Sequence, residues 1–137
     1  KQDMRAQLNW LDKTLAASKE KWKIVVGHHP LYAQTDKSES ERTDMRERVE
    51  PLLNKYGVDF YLCGHIHNFQ HIQPAGSKVD YLVNSSGSLA RSVSAIEGTK
   101  FCDSSAGFTL FSMSDNAVTF YLVDGKGKVL YNYQRTK

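Results

Sequence analysis

Two runs decide how this chain reads: Val25-Val26-Gly27-His28-His29-Pro30 and Cys63-Gly64-His65-Ile66-His67-Asn68. In each, an apolar strand-like stretch runs into Gly-His. Glycine lets the backbone turn at the strand end without a Cβ clash, and the next residue then presents an imidazole at the edge of a sheet. Neutral imidazole is the commonest protein ligand for zinc, iron and related ions. Two such edges side by side would form a metal site with an open coordination position, and the recurring Gly-His spacing favours that over unrelated loop histidines.

The elements around these runs set the fold class. Met4, Leu8, Leu11 and Leu15 recur at three- and four-residue steps, predicting an amphipathic helix over 3–18 with Asp3 as its N-cap. Ile24-Val25-Val26 reads as a short strand buried on both faces, and Pro30 ends regular pairing beyond the histidines. Residues 34–43 are polar and charged and read as a surface loop over the site. A second helix is expected over 44–56, with Met45, Val49, Leu52, Leu53 and Tyr56 on one face, a break at Pro51 and a stop at Gly57. Asp59 to Cys63 is the next strand. Two helix–strand units in succession predict parallel neighbours.

After His67 the pattern changes. Residues 69–73 and 81–84 read as strands around the Ala75-Gly76-Ser77 turn. Strands over 107–113, 117–123 and 129–133 are joined by Ser114-Asp115-Asn116 and Asp124-Gly125-Lys126-Gly127, giving an antiparallel meander.

Composition narrows the classes. The 137 residues suit one domain with one core. The net charge of +3, from 18 basic and 15 acidic residues, is too balanced to predict a nucleic-acid or membrane partner. No apolar run approaches the ~18 residues of a membrane span, and no signal-peptide pattern opens the chain. Cys63 and Cys102 permit a disulfide without demanding one, and Cys63 reads as a small buried hydrophobe.

The chemistry follows from where the histidines fall. Ligands of open α/β sheets bind outside the carboxyl ends of the strands, where His28 and His65 both sit. His65 and His67, two apart on a loop, can face one centre or two neighbouring ions. Three imidazoles alone suffice for one zinc with an open position. A hydrolytic two-metal site also needs carboxylates. Asp59 begins its strand at the far end from His65, and Asp36, Asp44 and Asp103 have no motif around them.

The blocks Val25-Val26-Gly27-His28-His29-Pro30-Leu31 and Gly64-His65-Ile66-His67 resemble the Val-x-x-His and Gly-His-x-His blocks of the calcineurin-like metallophosphoesterases. Pro51-Leu52-Leu53-Asn54-Lys55-Tyr56-Gly57-Val58, Tyr61-Leu62-Cys63-Gly64-His65 and Val83-Asn84-Ser85-Ser86-Gly87-Ser88 are similar to purple acid phosphatases of the mammalian, tartrate-resistant type. The resemblance implies an α/β fold, the C-terminal half of a four-layer αββα sandwich: two helix–strand units followed by an antiparallel β meander. It implies a dinuclear centre of divalent or trivalent ions (iron, zinc or manganese) in the complete protein. His28 and His65 would bind one ion and His67 the other.

The family's remaining ligands lie in earlier blocks: an Asp, a bridging Asp with a nearby Tyr, and an Asn followed by a catalytic His. No Gly-Asp-x-x-Tyr or Gly-Asn-His run occurs here. Residues 1–137 therefore read as the C-terminal part of one domain, inactive without the N-terminal half. The implied reaction is metal-assisted hydrolysis of phosphomonoesters, with phosphodiester hydrolysis or a non-catalytic metal-binding scaffold as alternatives.

The mammalian-type enzymes carry a further His after the first block, and none lies between Pro30 and His65. His29 is the candidate catalytic residue, placed to touch substrate phosphate. Asn68 reads as a turn-fixing residue and His71 as solvent-facing or core. The expected partners are the phosphomonoester, the absent half of the domain and a second copy meeting an exposed sheet face. Likeness to the family places the protein outside the cytoplasm.

Overall fold

The structure is a computed structural model that describes residues 3–137. Helix α1 (Met4–Ala17) begins at Asp3, whose carboxylate accepts from Ala6 N at 3.1 Å. That contact satisfies one of the free N–H groups of the first turn. Leu8, Leu11 and Leu15 of α1 pack into the core.

Strand β1 (Ile24–Val26) pairs parallel with β2 (Phe60–Cys63), Ile24 opposite Phe60 and Val26 opposite Leu62. β2 pairs parallel with β4 (Asp80–Val83), which is antiparallel to β3 (Phe69–Ile72); β3 in turn is antiparallel to β5 (Thr99–Asp103). The five-stranded order is β1-β2-β4-β3-β5. A second sheet follows chain order, β6 (Gly107–Met113), β7 (Ala117–Asp124) and β8 (Val129–Thr136), all antiparallel.

Two apolar layers hold these elements. Leu15, Leu31, Leu53, Val58, Tyr61 and Ile66 fill the space between the helices and one face of the larger sheet. Phe60, Phe69, Leu82, Val118, Phe120 and Leu122 fill the space between the two sheets. The result is an α–β–β stack, three of the four layers expected. On the far face of the smaller sheet Phe108 and Leu110 are about half exposed, and no described element covers them.

Four local expectations need correction. The helix read over 44–56 is two helices, α2 (Glu39–Arg48) and α3 (Glu50–Lys55), divided at Val49. Pro51 stands in the first turn of α3, where its missing N–H costs nothing. Second, α2 starts inside the presumed loop of 34–43. Ser38 caps Ser40 N, and Glu39 and Glu41 occupy the positive end of the helix dipole. Third, β1 is not buried on both faces. It is the edge strand, and Val26 is 73% exposed. Fourth, β5 was not expected, because Thr-Lys-Phe-Cys-Asp shows no clean alternation; pairing with β3 supplies its order.

A buried polar cluster lies at the amino-terminal ends of β2 and β4. His71 is fully buried, with Nε2 2.8 Å from Asp80 Oδ1 and Nδ1 3.0 Å from the Tyr131 hydroxyl. Arg135 reaches Asp80 at 3.2 Å and Asp59 at 3.3 Å, while Lys137 Nζ reaches Asp59 at 3.0 Å. Asp59 is therefore committed to joining the two sheets, at the end of β2 opposite His65. His71 is a core residue.

Candidate metal centre

The histidine loops are stitched together by main chain. Gly27 N donates to Leu62 O at 2.9 Å, and Gly64 N donates to His28 O at 3.1 Å. The parallel register of β1 and β2 thereby continues one step past the sheet and brings both Gly-His corners to the same pole. Gly27 is required there for space: a Cβ would lie 2.2 Å from the Tyr61 hydroxyl. That hydroxyl donates to His29 O at 2.7 Å and fixes the backbone that follows.

His65 and His67 both have left-handed backbones, φ 70° and 66°. Non-glycine residues adopt this region at a cost of order 1 kcal/mol or more, and such outliers gather at ligand sites. Ile66 between them is buried in the helix-side core and anchors the turn. Asn68 is buried too: its Nδ2 donates to Ser92 O at 3.4 Å and its Oδ1 accepts from Gln70 at 2.8 Å. Those bonds tie Asn68 to the 91–94 segment and to β3.

Ligand atoms of His28, His29 and His65 all lie within 4.8 Å of one another. His65 Nδ1 is 3.2 Å from His28 Nε2. The His29 ring centroid is 4.5 Å from that of His65 and 4.9 Å from that of His28. His67 lies outside this group. Its Nδ1 is buried without a hydrogen-bond partner among the described residues, leaving a polar atom that a ligand would satisfy.

Burial, aided by the neighbouring His29 and Lys37, holds the His65 ring below its ordinary pKa. The Glu41 carboxylate pulls the other way. A neutral imidazole is the form that ligates a metal. Three convergent imidazoles together with an orphaned fourth ring nitrogen fit the donor chemistry of a zinc or iron centre.

Sequence reasoning missed Glu41, whose Oε2 lies 3.1 Å from His65 Nε2. Its only local sign is an acidic residue two positions after a Ser-Glu helix start. A cavity of about 450 Å³, lined in part by Ile66 and Asn68 on either side of His67 in sequence, opens between Gln34–Asp36 and Arg91–Ser94. Arg91 N donates to His67 O at 2.9 Å, which ties the cavity wall to the histidine turn. Cys63 and Cys102 are both free thiols.

Residues 1–69 match the calcineurin-like phosphoesterase family. Tartrate-resistant acid phosphatase type 5 of Mus musculus is 34% identical over 93% of this chain and 41% of its own length. The chain thus spans about two fifths of the curated relatives it matches. Among solved structures, GAP50, described as the anchor in the inner membrane complex of Plasmodium, superposes with a TM-score of 0.84 at 26% identity, over 96% of this chain and 42% of that one. Purple acid phosphatase PPD1 from yellow lupin seeds (Lupinus luteus) superposes with a TM-score of 0.74 at 17% identity, over 95% of this chain and 28% of that one; this second likeness concerns the fold.

Proposed function

The chain belongs to the calcineurin-like phosphoesterase family, and on that premise we propose that the complete protein hydrolyses phosphomonoesters at a two-metal centre to which this chain contributes histidines. The observation that carries the reading is the 3.2 Å approach of His28 Nε2 and His65 Nδ1, two ring nitrogens from separate strands. These two would hold one ion and His67 the second. Bound ions would supply Lewis-acid polarisation of the phosphoryl oxygens and neutralise the charge that develops as the ester bond breaks.

The chain's own groups have defined work. His29, beside His65, offers an N–H to a phosphate oxygen. Lys37 adds positive potential that favours an anionic substrate. The Tyr61–His29 bond holds that loop against the sheet. The cavity lined by Ile66 and Asn68 has room for the alcohol portion of the ester. The missing carboxylate and Asn ligands come from the N-terminal half of the same domain, so the chain alone is inactive.

Activity on a chromogenic phosphomonoester, measured against the corresponding diester in the complete protein, tests this reading. Monoester turnover that is lost in His65→Ala and in His67→Ala is expected. A protein that binds two metals and hydrolyses neither ester would overturn it, and preference for the diester would select the diesterase instead. A second, non-catalytic reading has one observation in its favour, the high structural similarity to a Plasmodium anchor protein; the inactive outcome would select it.

Two further expectations belong to this reading. The half-exposed Phe108 and Leu110 and the open edge at Val26 promote self-association of the isolated chain, so size-exclusion chromatography should show oligomers. The protein works outside the cytoplasm. Among the described residues no helix is long and apolar enough to cross a membrane.

A further inference from the structure

The two ring nitrogens of His65 have different neighbours. Nδ1 is 3.2 Å from His28 Nε2, and Nε2 is 3.1 Å from Glu41 Oε2. A neutral imidazole carries its proton on one nitrogen and a lone pair on the other. A carboxylate can only accept, so it selects the tautomer protonated at Nε2. The lone pair then sits on Nδ1, aimed at the point where His28 also presents a nitrogen. We infer that Glu41 is a positioning residue that sets the tautomer and orientation of His65, so that Nδ1 becomes the metal-ligating atom. This rests on the reading of His28 and His65 as ligands of one ion.

Glu41 is held in place for this task. It lies in the first turn of α2, which Ser38 caps. Glu39 bonds both Arg42 and Arg46 at 2.6 Å, and Arg42 is buried. Arg46 Nη1 donates to Leu31 O at 2.8 Å, just past the His28-His29-Pro30 corner. The helix start is thus clamped to the loop that carries His28. No other side chain among the described residues engages the Glu41 carboxylate. With a lone pair required at Nδ1, Glu41 stands on the opposite edge of the ring and is not itself a ligand of that ion. Carboxylates placed behind a metal-binding histidine in this way typically contribute about 10- to 100-fold to metal affinity or activity. An ordinary exposed ion pair would contribute almost nothing.

The test uses the full chain and Zn²⁺ alone. Long-range nitrogen–proton correlations of the histidine rings, recorded without metal at neutral pH, should show the His65 proton on Nε2. Glu41→Ala should shift that tautomer toward a mixture and weaken zinc binding, measured by calorimetry, about 10- to 100-fold. Glu41→Gln keeps an acceptor oxygen and should recover most of the affinity. Asp44→Ala, which removes an ion pair with Arg48 on the same helix, should leave zinc binding unchanged. Wild-type zinc affinity in Glu41→Ala, a His65 proton found on Nδ1, or an equal loss in Asp44→Ala would each overturn the inference. His65→Ala with wild-type zinc affinity would overturn the metal reading beneath it; the metal-free tautomer measurement still judges the Glu41–His65 contact separately.

Discussion

Gly27→Ala is expected to disturb the candidate metal centre by displacing the adjoining His28. The added methyl would lie 2.2 Å from the Tyr61 hydroxyl, 3.1 Å from Cζ and 3.5 Å from Cε2. Tyr61 cannot retreat: it is buried in β2, between Val25 of β1 and Tyr81 of β4. The end of β1 must move instead, taking His28 away from His65. Overpacking of this kind costs about 1–3 kcal/mol.

Tyr61→Phe alone removes the 2.7 Å bond to His29 O and should cost about 1 kcal/mol. In the double variant the offending oxygen is gone. The nearest remaining contact is the 3.1 Å approach to Cζ, which a shift of a few tenths of an ångström relieves. The double variant should therefore lose less than the two singles together, with a coupling of about 1–2 kcal/mol. Urea unfolding of the four proteins measures the coupling, and zinc calorimetry on the same samples should follow the same order. Additivity within about 0.5 kcal/mol would refute the packing argument.

Asp80→Ala strands the buried His71 and removes one partner of Arg135; chemical denaturation should show a loss of about 3–5 kcal/mol, with Asp80→Asn intermediate, and a loss below about 1 kcal/mol would deny the cluster its structural role. Burial, reinforced by the hydrogen bond to Glu50, pushes the Tyr32 phenol from its usual 10.0 up to about 12. The neutral form is favoured in the folded chain, so that stability is complete below pH 10 and is lost as pH rises from 10 toward 12. Tyr32→Phe should reduce this alkaline loss in thermal melts without abolishing it, since Tyr131 is also raised to about 12, chiefly by burial; an unchanged alkaline limb would refute the assignment. Burial pushes the Cys63 thiol up to about 12, so a thiol reagent should label Cys102 first and reach Cys63 on unfolding; equal rates in the native state would count against the buried placement.

Much of this architecture is legible along the chain because its causes are local. The stripe Leu8, Leu11, Leu15 and the Asp3 cap mark α1 within one helical period. Asp124 to Gly127 builds its own turn, with Asp124 Oδ1 accepting from Lys126 N and Lys128 N at 2.9 Å, so the β7–β8 hairpin is readable. Residues 38–43 are legible only in part. Ser38 followed by Glu39 and Glu41 is a helix start, yet the segment carries almost no apolar stripe, and its order comes from Arg46 reaching Leu31 O. β5 and the exposure of β1 depend on which strand lies alongside, and neither is written in their own residues.

By itself the sequence determined that two Gly-His corners end two strands, since a glycine before an imidazole at the close of an apolar run acts within a few bonds. Only the tertiary structure decided which rings meet. The pairing of Ile24 with Phe60 and the bond from Gly64 N to His28 O bring His28, His29 and His65 together, leave His67 beside them with an unpartnered nitrogen, and bring Glu41 behind His65. Such meetings depend on strand register and on helix docking across long loops. Both are summed over many distant contacts, and no short stretch of residues carries that sum.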